Sequence, residues 1–329
     1  MRENSERLMK LLRGGRVDRP PFYEPWFGMG EMLNRRYAGN YIRMADDLGH
    51  AAVPVWGYNA EVDFIHHDIR TEAGAYYHGG SLREARQLRE RPEPDFAAQI
   101  EPMLAYRREC ANAGIACWMV IGWCFDRVAA SMGLENLALA CYDQPEFIHE
   151  AMQWVETRNQ HGIEQVIAKV RPDFVLYNGD CAYKTGLMIA PAMLRDFCLE
   201  PTRRTVQMIH DLGIPFAFHT DGQLDDIVPM LIELGICAVH GCEKQANDLG
   251  HLVEKFGDDI ALCGNMDVVF LKNATPDQVR AETLEMLRIG NAKRRFIAGC
   301  NTSPQDYIPD ENYRTFLHTV RDWQPASAA

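Results

Sequence analysis

Four side chains that could bind a divalent metal fall at the ends of strand-like runs in the C-terminal half of the chain. The run Phe216-Ala-Phe-His219 is apolar and breaks into the polar tip Thr220-Asp221-Gly222. Alternate residues of a strand share a face, so His219 and Asp221 are expected to point the same way. Glu243 ends the run from Ile236, and Cys300 ends the run from Arg295. One imidazole, one thiolate and two carboxylates match the donor types and the four-ligand count of a zinc site. Each residue also has a plainer reading. His219 could be a core histidine satisfied by a neighbour, and Asp221 before Gly222 could make an Asx-turn. Glu243 could pair with Lys244 or Arg127, and Cys300 could be a small buried residue.

These residues need elements to bring them together. Eight apolar runs are expected as strands, near 22–27, 51–56, 115–121, 173–180, 215–219, 236–243, 260–265 and 295–300. Most are separated by helical stretches, among them 191–212, 224–234, 248–256 and 275–289, after a short N-terminal helix over 3–14. Thr275 followed by Pro276 reads as an N-cap with proline at the first helical position. The strands are apolar without alternation, as in a parallel sheet covered on both sides. Eight such units in 329 residues predict a (β/α)8 TIM barrel in one domain, 1–329. A doubly wound sheet is the alternative, but no glycine-rich phosphate fingerprint follows the first strand. Residues 61–90 break the helical pattern and predict a β-hairpin excursion near the barrel mouth, with His66, His67 and His78 solvated on it. In such a barrel the chemistry lies at the C-terminal strand ends. Glu24, Asp180, Asn265 and Asp267 fall there too.

Composition narrows the classes of function. A formal net charge of −12 argues against nucleic acid or an anionic membrane as partner. No apolar run approaches the roughly 20 residues that span a bilayer, and the charged N-terminus lacks a secretory signal's apolar core. Ten cysteines with no CxxC pair read as reduced thiols, which suits the cytoplasm.

From about residue 15 to 323 the chain resembles the uroporphyrinogen decarboxylase superfamily, a barrel family that includes corrinoid-linked methyltransferases. The stretches that carry the resemblance are Asn178–Pro191, Phe218-His-Thr-Asp-Gly222, Cys263-Gly-Asn-Met-Asp267 and Ala298-Gly-Cys-Asn-Thr-Ser-Pro304. True decarboxylases of the family carry an arginine-bearing stretch after the first strand that grips propionates. Here that stretch is Tyr23–Glu31, with no arginine until Arg35. The zinc methyltransferase branch, and the similar barrel of cobalamin-independent methionine synthase, use His-x-Cys, a later acidic or other ligand, and a cysteine on the last strand. His219, Glu243 (22 residues after Asp221) and Cys300 fit that order, while Asp221 stands where the family has cysteine. A carboxylate in place of sulfur makes the site harder and better suited to an oxygen donor.

The resemblance therefore implies Zn2+ at His219, Asp221, Glu243 and Cys300. It implies methyl transfer from a methoxylated, aromatic substrate to the Co(I) of a corrinoid (cobalamin) on a partner protein. Asp180, Tyr183 and Asn265 are the expected catalytic hydrogen-bonding groups. Trp26, Trp56, Trp123 and Phe125 are expected in the substrate pocket, although aromatics of this kind also serve as core. A homodimer is left open. The alternatives are a decarboxylase of a uroporphyrinogen-like or smaller carboxylated substrate, gripped by Arg127 or Lys184, a methylcorrinoid:thiol or tetrahydrofolate methyltransferase, and a non-catalytic barrel.

Overall fold

The computed structural model describes residues 1–64, 68–71, 74–77 and 80–325. Its strands are β1 Ala52–Pro54, β2 Asp68–Thr71, β3 Gly74–Tyr77, β4 Ala116–Gly122, β5 Phe174–Asn178, β6 Ala182–Tyr183, β7 Gly186–Leu187, β8 Phe216–His219, β9 Ala238–His240, β10 Ala261–Met266 and β11 Phe296–Cys300. Seven of them form one parallel sheet in the order β1-β4-β5-β8-β9-β10-β11. The segment expected as a first strand fills the gap between β11 and β1. Tyr23 N–H donates to Ala298 O at 3.0 Å, Ala298 N–H to Pro21 O at 2.9 Å, and Ala51 N–H to Phe22 O at 2.8 Å. Those bonds close the sheet into the TIM barrel. The segment is a single bridge rather than a full strand, because Pro20, Pro21 and Pro25 supply no N–H to a ladder.

Helices alternate with the strands. Pro191–Asp211 starts on its proline, and Pro276–Gly290 starts behind Thr275 in a capping box with Gln278. The helix expected from 224 begins only at Val228, after a turn. A short helix, Cys124–Met132, follows β4 directly. Among the described residues no helix is long and apolar enough to cross a membrane. The hairpin expected within 61–90 is the antiparallel pair β2–β3; His66, His67 and His78 lie outside the described residues. All ten cysteines are free thiols.

Strand alternation sorts the core into two clusters. Tyr23, Trp118, Phe174, Ala217, Ala238, Cys263 and Ile297 fill the barrel lumen. Phe216, Phe218, Val239, Leu262, Phe296, Ala298 and Cys300 belong to the layer between sheet and helices. His219 continues the inward phase of Ala217, and His240 that of Ala238. The parallel register pairs His219 with His240, so two imidazoles meet at the C-terminal end of the lumen.

Candidate metal centre

His219 is 5% exposed, and its Nε2 faces two carboxylates. Asp180 Oδ1 lies 3.7 Å away and Asp221 Oδ1 3.8 Å away. One nitrogen and two oxygens, one from each residue, sit within 4.8 Å of one another. The backbone fixes the carboxylates: Asp221 N–H donates to Asp180 Oδ1 at 3.1 Å, and Gly222 N–H donates to Glu243 Oε2 at 2.9 Å. Glu243 thereby sits beside the three as a flanking acid. Gly241, between β9 and Glu243, has φ +100, where a Cβ would lie 1.9 Å from Thr220 O; only glycine fits that crossing.

Protons on the two imidazoles are set by their partners. His240 Nε2 lies 3.1 Å from Cys300 O, a pure acceptor, so this nitrogen carries hydrogen. His219 Nδ1 is 2.8 Å from His240 Nδ1. Burial holds both rings far below the usual imidazole range, His219 at about 3. With both neutral, His240 Nδ1 accepts and His219 Nδ1 donates. A bare lone pair then remains on His219 Nε2, aimed at Asp180 and Asp221.

Such a lone pair against ionised carboxylate oxygens is repulsive unless a proton or a metal cation lies between them. Asp221 Oδ1 is also buried without a hydrogen-bond partner, a costly state for a polar atom. Burial first, then the charges of Asp180 and Glu243, push the Asp221 carboxyl up to about 7. Burial likewise raises Asp180. The orphaned oxygen and the free lone pair fit a divalent cation, with the hard donor set that suits zinc, manganese or iron bound through oxygen and imidazole.

Beside this cluster the barrel mouth holds a cavity of about 200 Å3, lined by Trp26, Tyr58, Val120, Arg127, Asn159 and Asn178 among others. Trp26 is the shared wall, its ring 4.4 Å from that of His219. Arg127 is ion-paired to Asp126 and, at 3.3 Å, to Asp63. A second cleft of about 490 Å3 opens on Asp126, Asp180 and Tyr183. Burial raises Asp126 to about 6.

The sequence model of the uroporphyrinogen decarboxylase (URO-D) family matches residues 115–323, well over half of the chain. The chain belongs to that family. No curated protein sequence matches it significantly. Among solved structures, a methyltransferase from Methanosarcina mazei is similar in fold, with a TM-score of 0.73 at 16% identity over 97% of this chain and 98% of that one. A Listeria monocytogenes protein provisionally assigned as a vitamin-B12-independent methionine synthase superposes with a TM-score of 0.50 at 9% identity, covering 93% and 97% of the two chains. At these identities the likeness speaks for the barrel fold.

Within this member of the URO-D family, the residues singled out from sequence separate. His219, Asp221 and Asp180 converge, and Glu243 flanks them. Cys300 does not join them. The Cys300 thiol lies beside Glu24 instead, and the Cys300 backbone N–H reaches both Glu24 oxygens at 3.1 Å. The reason is strand phase: Ile297 faces the lumen, so Ala298 and Cys300 face the helices. Asn265 is committed to structure, its Nδ2 donating to Cys242 O at 2.6 Å. Tyr183 is 54% exposed on the second cleft.

Of the aromatics, Trp26 lines the cavity, and Trp56 stands 46% exposed with its ring 5.9 Å from Trp118. Trp123 and Phe125 do not line it. Both are fully buried behind the end of β4, and Trp123 Nε1–H donates to Thr202 Oγ1 at 2.8 Å. His240 was not among the expected site residues. Its signal was its place in Ala238-Val-His240, in phase with a small lumen residue one strand along from His219.

Proposed function

We propose that this URO-D family member is a metal-dependent methyltransferase. It takes a methyl group from a methoxylated, aromatic donor to the Co(I) of a corrinoid carried by a partner protein. The observation that carries the reading is the His219 Nε2 lone pair, held against Asp180 and Asp221 with Asp221 Oδ1 buried and unpartnered. His219, Asp180 and Asp221 would hold the zinc, with Glu243, held by the Gly222 N–H, as a flanking charge. When bound, zinc supplies Lewis acidity to the heteroatom from which the methyl departs.

The remaining work falls to the chain. Trp26, packed on His219, offers a flat apolar wall for an aryl ring. Asp126 and Tyr183 border the same cleft as Asp180, where the Tyr183 hydroxyl can hydrogen-bond the oxygen left after the methyl departs while solvent at the open cleft supplies its proton. The side chains of Asp180 and Asp221 remain 42% and 41% exposed, so a partner's cobalt can approach from the open mouth.

Decarboxylation of a polycarboxylate draws no support from this mouth. Among the described residues that line the two clefts the one guanidinium is Arg127, which is already paired with Asp63 and Asp126, and Asp180, Asp221 and Glu243 add further negative charge nearby. A polyanionic porphyrinogen would meet repulsion rather than a clamp.

Metal analysis of the purified protein should find about one zinc per chain, lost in His219→Ala. Mixing the zinc-loaded protein with a Co(I) corrinoid protein and methoxyphenols should give the methylcobalt absorption spectrum and the free phenol. Full methyl transfer by metal-free protein would overturn the reading, as would the absence of transfer from every methoxyaromatic tried.

A further inference from the structure

We infer that His240 is a positioning residue that fixes the tautomer of His219, through a relay that starts at Glu24 and runs across the main chain of Cys300. The inference rests on the metal reading above, because its purpose is to present His219 Nε2 unprotonated to a cation.

Four contacts make the relay. The Glu24 carboxyl group faces the Cys300 N–H with both oxygens at 3.1 Å. The Cys300 carbonyl accepts from His240 Nε2 at 3.1 Å. His240 Nδ1 meets His219 Nδ1 at 2.8 Å. His219 Nε2 then faces Asp180 and Asp221. A carbonyl can only accept, so the hydrogen at its end of His240 is determined, and the hydrogen at the His219 end follows. Glu24 lies in the segment that closes the barrel and Cys300 in β11, so the closure of the sheet and the orientation of the imidazole share one set of bonds. Both histidines are at most 5% exposed, so water is a poor substitute for either partner.

A histidine that binds metal through one nitrogen generally gives its other N–H to an oxygen acceptor. Here the acceptor is a second imidazole, and the sequence placed it in exact register on the adjoining strand. Without that ring, the His219 proton is free to sit on Nε2, the nitrogen that would otherwise bind.

Nuclear magnetic resonance of the metal-free, 15N-histidine-labelled protein tests this directly. Long-range proton–nitrogen correlations should show His219 protonated on Nδ1 and His240 on Nε2 at neutral pH. His240→Leu, which cannot accept, should move the His219 proton wholly or partly to Nε2 and weaken zinc binding by about 10–100-fold. His240→Gln, which can accept from His219 and donate to Cys300 O, should restore the Nδ1–H form and most of the affinity.

The proposal is overturned if the wild-type protein carries the His219 proton on Nε2, or if His240→Leu leaves both the tautomer and the affinity unchanged. The wild-type spectrum decides even if the leucine variant fails to fold. A wild-type protein that binds no zinc but shows the stated tautomers would remove the metal reading and leave the relay standing. Zinc binding with the opposite tautomer would do the reverse.

Discussion

Glu24 and Cys300 meet across the seam that closes the barrel, both oxygens of the carboxyl group facing the Cys300 N–H and the Cys300 thiol beside it. The pair is almost wholly buried, 3% and 0% exposed. Desolvation outweighs these donors and raises the Glu24 carboxyl from its ordinary 4.5 to about 8.

That shift sets a pH dependence of stability. Between about 4.5 and about 8 the unfolded chain loses the Glu24 proton while the folded one keeps it. The folded state therefore binds more protons, and the contribution of this group to stability falls as pH rises through that window, by an amount on the order of a few kcal/mol. Glu24→Gln removes the titration. Urea unfolding at a series of pH values should show the difference in stability between variant and wild type growing in the variant's favour from pH 5 to pH 8.

The geometry ranks the candidate ligands. Asp180→Asn and Asp221→Asn should each weaken zinc binding more than the about 10–100-fold typical of outer partners. Cys300→Ser, whose sulfur points away from His219, should change it less than about threefold, within the scatter of remote substitutions. Competition with a chromogenic chelator measures all three. A Cys300→Ser protein that loses its metal would show that the sulfur turns inward to bind.

Two tryptophans expected in one pocket should behave differently. Trp26→Leu removes the wall against His219 and should raise KM for an aromatic donor about 3–10-fold, the value of one aromatic contact, with metal content unchanged. Trp123→Phe loses a buried hydrogen bond to Thr202 and should cost about 1–3 kcal/mol of stability with KM unmoved. Steady-state kinetics and thermal unfolding on the same preparations separate the two.

Glu156 is fully buried and accepts from Tyr177 and Thr205, both at 2.7 Å, from the Cys124 N–H at 3.1 Å and from Asn159 Nδ2 at 3.3 Å. It ties β5 to three helices beneath the cavity. Glu156→Ala removes all four of these bonds and leaves the Tyr177 hydroxyl and the Cys124 N–H without an acceptor, and should destabilise the protein by more than about 3 kcal/mol. Glu156→Gln keeps one acceptor and should cost about half as much, as urea midpoints at constant m-value would show.

The strands and their order were legible because apolar runs and helix punctuation recur with the period of a barrel, and Thr275-Pro276 marks its helix start unaided. His219 and Asp221 were legible as a pair because two residues on one strand end must share a face. Cys300 was misplaced by counting strand ends instead of strand phase: Ile297 inward already implies Cys300 outward. Trp123 and Phe125 fell to a related cause, since β4 stops at Gly122 and the chain turns at once into a helix. The His219–His240 register was not legible, because which residues of neighbouring strands stand side by side depends on barrel closure, and no spacing within one strand encodes it.

Position 241 carries a wider consequence. Its left-handed turn resets the count along the chain, so that His240 looks into the lumen and the next acid to reach the mouth is Glu243 rather than residue 242. One strand end thus serves two storeys, an imidazole below and a carboxylate above. The absent side chain also leaves room for the carbonyl of Thr220, immediately before Asp221. A methyl group added at 241 would lift the neighbouring strand end and carry Asp221 away from His219, disarming the site from a residue that donates nothing to it.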